Sequence, residues 1–235
     1  MIKSIHRNFV SGTILITLLA TLFSCSKKDK PGSGQFMVVH TSPGLAPIDV
    51  YVDGNKLSTS SVAYTSTTGY QPLIEGTHQL KITAAGSSTS LIEANFGSVA
   101  TIKQSVYVFN RNNALEVFLV ADDVSSPGSA SAGIRFFHLS PGAPMVDMGT
   151  VSGTAFTPLF TARSFETRST VNSHSSFITI SPGTYKFNIR VNGAGTSLHE
   201  ENITVEAGKS YTIYAKGIAG DPLTPLGFGV VAHNQ

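Results

Sequence analysis

Hydrophobic and polar residues alternate along the chain in several short segments. The clearest case is residues 78–84, where His78, Leu80 and Ile82 share one face and polar residues occupy the other. A period of two residues predicts a β-strand with one buried face, because successive side chains of a strand point to opposite sides. Residues 185–191 show the same alternation, so the pattern occurs in both halves of the chain.

Other segments of the first half also read as strands, and Pro43 and the Asp53-Gly54 pair mark the ends of two of them. No helical spacing of apolar residues is sustained after the N-terminal segment. About seven short strands fit a sandwich domain of roughly 100 residues. The sequence therefore predicts an all-β protein with two tandem immunoglobulin-like or transthyretin-like β-sandwich domains. The predicted strands of the first half are 36–39, 48–52, 70–74, 78–84, 91–96, 106–110 and 115–121.

A short motif, His-x-Ser-Pro-Gly, occurs once in each half, at residues 40–44 and 138–142. An aspartate between two apolar residues follows each copy at the same spacing. Serine before proline and glycine favours a turn, so we interpret the motif as a framework turn that the histidine or aspartate ties to a neighbouring backbone amide. The residues of this repeat signature are His40, Ser42, Pro43, Asp49, His138, Ser140, Pro141 and Asp147.

The repeat divides the chain into five segments. Residues 36–123 form the first predicted sandwich and residues 134–235 the second. Residues 124–133 contain almost no large apolar side chain and are predicted to be a linker. Residues 1–24 are predicted to be a signal peptide, and residues 25–35 a lipidated cysteine with a flexible tether.

The N-terminal segment resembles the signal peptide of a bacterial lipoprotein. Lys3 and Arg7 precede a mostly apolar stretch, 9–23, that is too short to span a membrane comfortably. A small residue, Ser24, then precedes Cys25 as in a lipobox, which predicts lipidation of Cys25 and a membrane anchor. The alternative is an ordinary signal peptide with an incidental cysteine.

Charge and cysteine content exclude several classes of protein. The net charge is +2, and much of the basic excess lies in the N-terminal segment and the tether, which leaves a slightly acidic body. A nucleic-acid-binding domain normally presents a clustered basic face, so no nucleic-acid partner is predicted. Cys25 is the single cysteine, which excludes an intramolecular disulfide and a cysteine-based metal site.

The repeat signature, together with a Gly-Thr-His/Tyr strand at residues 76–78 and 183–185, resembles the family called domain of unknown function 4397. The resemblance covers Phe36 to Gln235 and implies extracytoplasmic bacterial β-domains, often in tandem on lipoproteins. Family members often have Val-His-Ala-Ser-Pro-Asp, whereas Gly44 and Gly142 replace the acidic residue here. The family name implies no activity.

The residue types of a hydrolase triad are present in the signature, as His40, Ser42 and Asp49. No Gly-x-Ser-x-Gly elbow occurs, however, and the serine directly precedes a proline. The His199-Glu200-Glu201 segment lacks the second histidine of the zinc-binding His-Glu-x-x-His motif. We therefore expect no enzymatic activity, no metal and no cofactor, with an envelope hydrolase as the less favoured alternative.

The two halves differ most between the signature aspartate and the Gly-Thr strand, where the second half is longer. Its loop at 216–225 is longer as well. Long loops often carry binding residues, so we predict that these two loops share one end of the second sandwich and bind a partner. The alternative is that the phenylalanines cap the core or form an extra hairpin. The candidate binding residues are Phe156, Phe160, Arg163, Phe165 and Arg168.

The predicted function is that of a lipid-anchored outer-membrane protein of the cell envelope, facing the periplasm or the cell surface. It would act as a non-catalytic binding, adhesion or structural module with a protein or glycan partner. The alternative is a glycan-binding accessory protein of a surface uptake system. The chain has no tryptophan to stack on sugars, and Tyr64 and Tyr70 are the candidate substitutes.

Overall fold

The computed structural model describes residues 30–111, 114–122 and 127–233. Within these residues the chain folds into sixteen β-strands and one short helix, arranged as two β-sandwiches. The first sandwich contains β1 (Ser33–His40), β2 (Ile48–Val52), β3 (Asn55–Lys56), β4 (Gln71–Ile74), β5 (Gly76–Ala84), β6 (Ser90–Ser98), β7 (Lys103–Arg111) and β8 (Ala114–Ala121). The second contains β9 (Ala132–His138), β10 (Val146–Ser152), β11 (Ala155–Arg163), α1 (Val171–His174), β12 (Ile178–Ile180), β13 (Gly183–Val191), β14 (Ser197–Val205), β15 (Ser210–Lys216) and β16 (Gly227–His233).

The two sandwiches have the same topology. The first pairs a sheet of order β4-β1-β7-β8 with one of order β3-β2-β5-β6, and the second pairs β12-β9-β15-β16 with β11-β10-β13-β14. Strand β1 is parallel to β7 and β9 is parallel to β15, whereas the other pairs are antiparallel. The predicted fold class is confirmed, and each strand predicted for the first half overlaps an observed strand.

Several predicted segments lie partly or wholly outside the described residues. The predicted signal peptide, Cys25 and residues 26–29 of the tether precede residue 30, and residues 123–126 are also outside. Strand β1 begins at Ser33, inside the segment 25–35 that was predicted to be the tether. Strand β9 begins at Ala132, inside the segment 124–133 that was predicted to be the linker. No helix among the described residues is long and apolar enough to cross a membrane.

The two sandwiches pack on each other through one sheet each, so the four sheets form four layers. We call β4-β1-β7-β8 and β12-β9-β15-β16 the inner sheets and the other two the outer sheets. In β1, Phe36 and Val38 lie in the core of the first sandwich, whereas Met37 and Val39 belong to a cluster shared with the second sandwich. Both faces of each inner sheet are therefore buried.

Aromatic side chains fill the contact between the inner sheets. The ring of Phe137 lies 5.5 Å from the ring of Tyr107 and 5.5 Å from that of Phe118, in edge-to-face geometry. Tyr107 also contacts Tyr214 of the second sandwich, with ring centroids 6.4 Å apart. Edge-to-face pairs add to the stability that area burial provides, so this contact is a hydrophobic core in its own right.

A buried polar network crosses the same contact. Arg135 of β9 is fully buried, forms an ion pair with Asp122, and donates from Nε to the Thr212 hydroxyl at 2.7 Å. Asp122 also accepts hydrogen bonds from the hydroxyls of Ser105 and, at 2.7 Å, Tyr70. Because a buried charge is tolerated only when it is paired and hydrogen-bonded, these partners fix how the sandwiches meet.

His233 closes this network into a ring. Its Nδ1 lies 2.7 Å from the Tyr70 hydroxyl and its Nε2 lies 2.7 Å from the Thr212 hydroxyl. Since Tyr70 donates its proton to Asp122, Nδ1 of His233 donates to Tyr70 and Nε2 accepts from Thr212. Burial lowers the pKa of His233 to about 4, although the nearby Asp122 carboxylate acts in the opposite direction. The imidazole of His233 is therefore neutral at pH 7.

Candidate functional site at the signature turns

The first signature turn, residues 40–44, is held by a buried histidine. His40 ends β1, with Nε2 3.3 Å from the carbonyl oxygen of Ala46 and Nδ1 3.3 Å from the amide nitrogen of Ser42. An amide can only donate, so Nδ1 accepts and Nε2–H donates. Burial lowers the pKa of His40, which keeps the ring neutral and in this tautomer at pH 7.

The second signature turn, residues 138–142, is built in the same way. Nε2 of His138 donates to the carbonyl oxygen of Pro144 at 3.0 Å, and Nδ1 accepts from the amide of Ser140 at 3.4 Å. Burial lowers the pKa of His138 as well. Gly44 and Gly142 adopt φ angles of 75° and 76°, in the left-handed region that favours glycine.

The serine hydroxyls of the two turns differ. Ser140 donates to the carbonyl oxygen of Gly217 at 2.6 Å. The hydroxyl oxygen of Ser42 is buried and has no hydrogen-bond partner among the described residues, and the same holds for Oδ1 of Asn110. The strand register places Asn110 at the position that Gly217 has in the second sandwich. The two repeats therefore diverge at one point of an otherwise shared turn.

The signature aspartates bind backbone and side chains of neighbouring loops. Asp49 accepts hydrogen bonds from the Ser61 hydroxyl at 2.7 Å and the Gly86 amide at 3.0 Å, and it pairs with Lys56 at 2.8 Å. The hydrogen bond from Lys56, followed by those from Gly86 and Ser61, lowers the pKa of Asp49 to about 2. Asp49 is thus ionised and fully engaged at neutral pH.

Asp147 of the second repeat accepts from the Ala162 amide and from the Asn192 side chain, both at 2.8 Å. Neither signature aspartate bonds to the histidine of its own repeat, and neither serine hydroxyl bonds to a ring nitrogen. In a serine hydrolase the serine hydroxyl is hydrogen-bonded to the histidine, and the histidine is hydrogen-bonded to the aspartate. The signature residues do not have that geometry.

Both signature turns face one cleft at the same end of the molecule. Its volume is about 440 Å³, within the range of small-molecule sites. Phe165 comes from the insertion of the second sandwich and Ile218 from its 216–225 loop, so the two long loops meet at this end. The residues that define the cleft are Pro43, Asn110 and Arg111 of the first sandwich and Pro141, Phe165 and Ile218 of the second.

Most of the insertion forms a strand. β11 is the edge strand beside β10, where the first sandwich has the two-residue strand β3 beside β2. Phe160 is buried in the core of the second sandwich, and the guanidinium of Arg163 lies 5.3 Å from the centre of its ring. The ring of Phe156 is covered by the guanidinium of Arg190 at 4.2 Å. These three predicted binding residues are not among those that line the cleft.

The last two predicted binding residues lie between the sandwiches. Phe165 lines the cleft and packs on Phe109, with ring centroids 5.9 Å apart. Nε of Arg168 donates to the carbonyl oxygen of Val117 at 3.0 Å, across the contact between the sandwiches. Of the five candidates, Phe165 is therefore the one that the fold brings to the cleft.

Residues 34–149 match the family model described as domain of unknown function, DUF4397. This match supports the resemblance that the motif indicated. The DUF4397 segment contains the first sandwich and continues through the second signature turn into β10, so it includes both turns that face the cleft. No curated protein sequence is significantly similar to the chain.

Solved structures with similar strand arrangements have very low sequence identity. A family 26 carbohydrate-binding module from Eubacterium rectale, crystallised with maltoheptaose, is 10% identical, covers 86% of this chain and 97% of its own, and has a TM-score of 0.26. A DUF3823 family protein from Bacteroides ovatus is 9% identical, covers 74% of this chain and 96% of its own, and has a TM-score of 0.20. At these TM-scores only the geometry of the cleft itself bears on function.

The two tyrosines that were considered for stacking on sugars, Tyr64 and Tyr70, have different surroundings. The Tyr70 hydroxyl belongs to the buried network, and the ammonium of Lys103 lies 5.2 Å from the centre of its ring. The Tyr64 hydroxyl accepts from the Gly217 amide at 2.9 Å, and its ring lines a depression of about 310 Å³ on the other side of the 216–225 loop. Tyr64 is thus accessible from that depression, outside the cleft.

Sequence reasoning did not name four cleft residues, Asn110, Arg111, Ser164 and Ile218. Asn110 is the last residue of the predicted strand 106–110 and Arg111 follows it, whereas Ser164 and Ile218 lie in the two loops that were predicted to bind a partner. The signal that could have drawn attention to Asn110 is that the second repeat has Gly217 at the equivalent position. This equivalence can be recognised only once the strand register is known.

Proposed function

We propose that this DUF4397 protein is a lipid-anchored, non-catalytic binding module of the bacterial cell envelope. The observation that carries the proposal is the convergence of both signature turns on one cleft. Two copies of a turn that are far apart in sequence are needed to build it.

The position of the cleft suits a protein held at its N-terminus. β1 runs from Ser33, beside the tether, to His40, beside the cleft. The seven steps from Ser33 to His40 span about 23 Å, so the cleft lies that far from the N-terminal end of β1. A lipid on Cys25 would act through the predicted tether, which joins the first sandwich at the N-terminal end of β1.

A non-catalytic role fits the bonding of the signature residues. The two histidines are held neutral by burial and tie their own turns, and the aspartates bind neighbouring loops. Proteinase treatment of intact and lysed cells would distinguish the surface-facing form from the periplasmic form.

The cleft is tested by blocking it. Ile218→Arg would place a long charged side chain in the cleft, and we expect it to abolish binding of whichever envelope proteins or glycans the chain from residue 26 onward retains on an affinity matrix. Val230→Arg is the matched control, because Val230 is a half-exposed aliphatic residue of β16 that is not a lining residue of the cleft. Equal retention by both variants would contradict the proposal.

A further inference from the structure

A second cleft adjoins the first one at the turn of the first sandwich. Its volume is about 370 Å³, and it shares Pro43 and Asn110 with the first cleft. Its walls are mostly aliphatic, and the hydroxyl-bearing residue among them is Ser42. The additional lining residues are Ser42, Gly44, Leu45, Leu91 and Leu115.

Two polar atoms of this joint surface have no partner among the described residues, namely Oγ of Ser42 and Oδ1 of Asn110. Ser42 is almost fully buried, at 1% exposure. Buried polar atoms are nearly always hydrogen-bonded in native proteins. In the second sandwich the equivalent hydroxyl, that of Ser140, is satisfied internally by Gly217. The first turn thus lacks this internal bond, and Ser42 and Asn110 are both among the residues that line the joint surface.

The joint surface includes one basic side chain. Among its described lining residues, Arg111 is the one that carries a charge. Its guanidinium lies 3.9 Å from the carboxylate of Glu116, at the limit of an ion pair, and its side chain is 40% exposed. A guanidinium in this state can still take a carboxylate in bidentate geometry.

We propose that the joint cleft binds a sugar acid, that is, a hydroxylated ring carrying a carboxylate, within an acidic glycan. Arg111 takes the carboxylate, Ser42 and Asn110 bond to ring hydroxyls, and Pro43, Leu45 and Phe165 cover the apolar faces of the sugar rings. A hydroxyl group both donates and accepts, which suits an unpartnered hydroxyl beside an unpartnered amide oxygen. This inference rests on the proposed function and names the ligand class of the same cleft.

The test uses hexagalacturonate and its fully methyl-esterified form as probes in isothermal titration with the chain from residue 26 onward. We expect the acid to bind the wild type and the ester to bind about tenfold more weakly or not at all, because esterification removes the partner of Arg111. Arg111→Gln should reduce affinity for the acid by a similar factor, and Ser42→Ala should also weaken binding.

The repeat supplies the control for folding. Ser42→Ala removes a hydroxyl without an internal partner, so the melting temperature of the free protein should stay the same or rise. Ser140→Ala removes a bonded hydroxyl, so the melting temperature should fall. Val230→Arg should retain the affinity of the wild type for the acid.

The proposal is overturned if the wild type binds neither probe, if the ester binds as tightly as the acid, or if Arg111→Gln and Ser42→Ala bind like the wild type. Binding of a neutral glycan or of a peptide carboxylate that Ile218→Arg abolishes would overturn the sugar-acid class and leave the binding cleft in place. If Ile218→Arg retained every partner, the proposed function itself would be refuted.

Discussion

The inner and outer sheets differ in how buried and exposed residues are arranged along their strands. In β9 of an inner sheet, every residue from Ala132 to His138 is buried. In β5 of an outer sheet, Leu80 and Ile82 are buried while Gln79 and Lys81 between them are more exposed. An unbroken run marks a strand covered on both faces, and alternation marks a strand covered on one. The difference separates the sheets that join the sandwiches from those that face solvent.

The polar residues of the two kinds of sheet differ as well. The Arg135–Asp122 pair of the inner layers is fully buried and hydrogen-bonded on all sides. The Lys186–Glu200 pair of an outer sheet has a nitrogen-to-oxygen distance of 3.7 Å and lies in solvent. Breaking an ion pair therefore changes stability much more in an inner sheet than in an outer sheet.

The largest expected effect comes from breaking the inner pair. Arg135→Met leaves the carboxylate of Asp122 buried without its counter-charge, which should lower the free energy of unfolding by about 3–5 kcal/mol. Methionine is the residue that the first sandwich has at the equivalent position, Met37, so the shape is compatible with a sheet of this type. Urea denaturation measures the loss.

The outer pair supplies the control for that variant. Lys186→Met should change the free energy of unfolding by no more than about 0.5 kcal/mol, because the pair is exposed. Equal losses for Arg135→Met and Lys186→Met would show that the inner layers do not depend on the buried charge.

A somewhat smaller loss of stability is expected when the pH is lowered. The unfolded chain protonates His233 near pH 6.5, whereas the folded protein does so only near pH 4, so the unfolded state binds more protons in this window. Stability should therefore fall as the pH is lowered from about 6.5 to 4, by on the order of 3 kcal/mol from this residue. Thermal unfolding at several pH values measures it.

His40 and His138 add to the same slope, since burial lowers their pKa values too. The variant His233→Gln isolates the inner network, because glutamine does not titrate. Its stability should be lower at pH 7 but should depend less on pH than that of the wild type. An unchanged slope between pH 6.5 and 4 would show that His233 titrates normally.

A smaller loss of stability than these is expected from the signature aspartates of the outer sheets. Asp49→Ala removes an ionised carboxylate with three partners and should lower the free energy of unfolding by about 2 kcal/mol. Asp147→Ala, with two partners, should have a smaller effect of about 1 kcal/mol. Melting temperatures test both, and two variants that melt like the wild type would disprove the framework role of the signature aspartates.

Much of the fold could be predicted because alternation and turn residues are local signals. The strands around Leu80 and Phe187 follow from their period of two, and Gly44 and Gly142 follow from a turn that needs positive φ. The edge strand β11 was less visible, since Pro158 interrupts its pattern. Proline inside a strand pattern is in fact typical of an edge, and β11 lies at the edge of its sheet.

The contact between the sandwiches could not be predicted in the same way. The continuous stretch of mostly apolar residues around Arg135 indicates a strand that is buried on both faces. An arginine within such a strand indicates a buried partner of opposite charge. The partner itself, Asp122, and the other members of the ring come from strands whose register is set only by packing. The cleft depends on the same register, because Asn110 and Ile218 reach it only when the inner sheets face each other.

The contact between the inner sheets also has a consequence for ancestry. Strand register makes Tyr107 equivalent to Tyr214, Ser105 to Thr212 and Asp122 to His233, and these equivalent residues lie together in the interface. A surface that meets its own copy is the mark of an isologous two-fold dimer. The chain is thus laid out as a homodimer fused into one polypeptide, and a single-repeat homologue should associate in pairs through this face. After such a fusion one member of each equivalent pair is free to diverge, and a neutral histidine opposite an aspartate relieves the repulsion that two facing carboxylates would have.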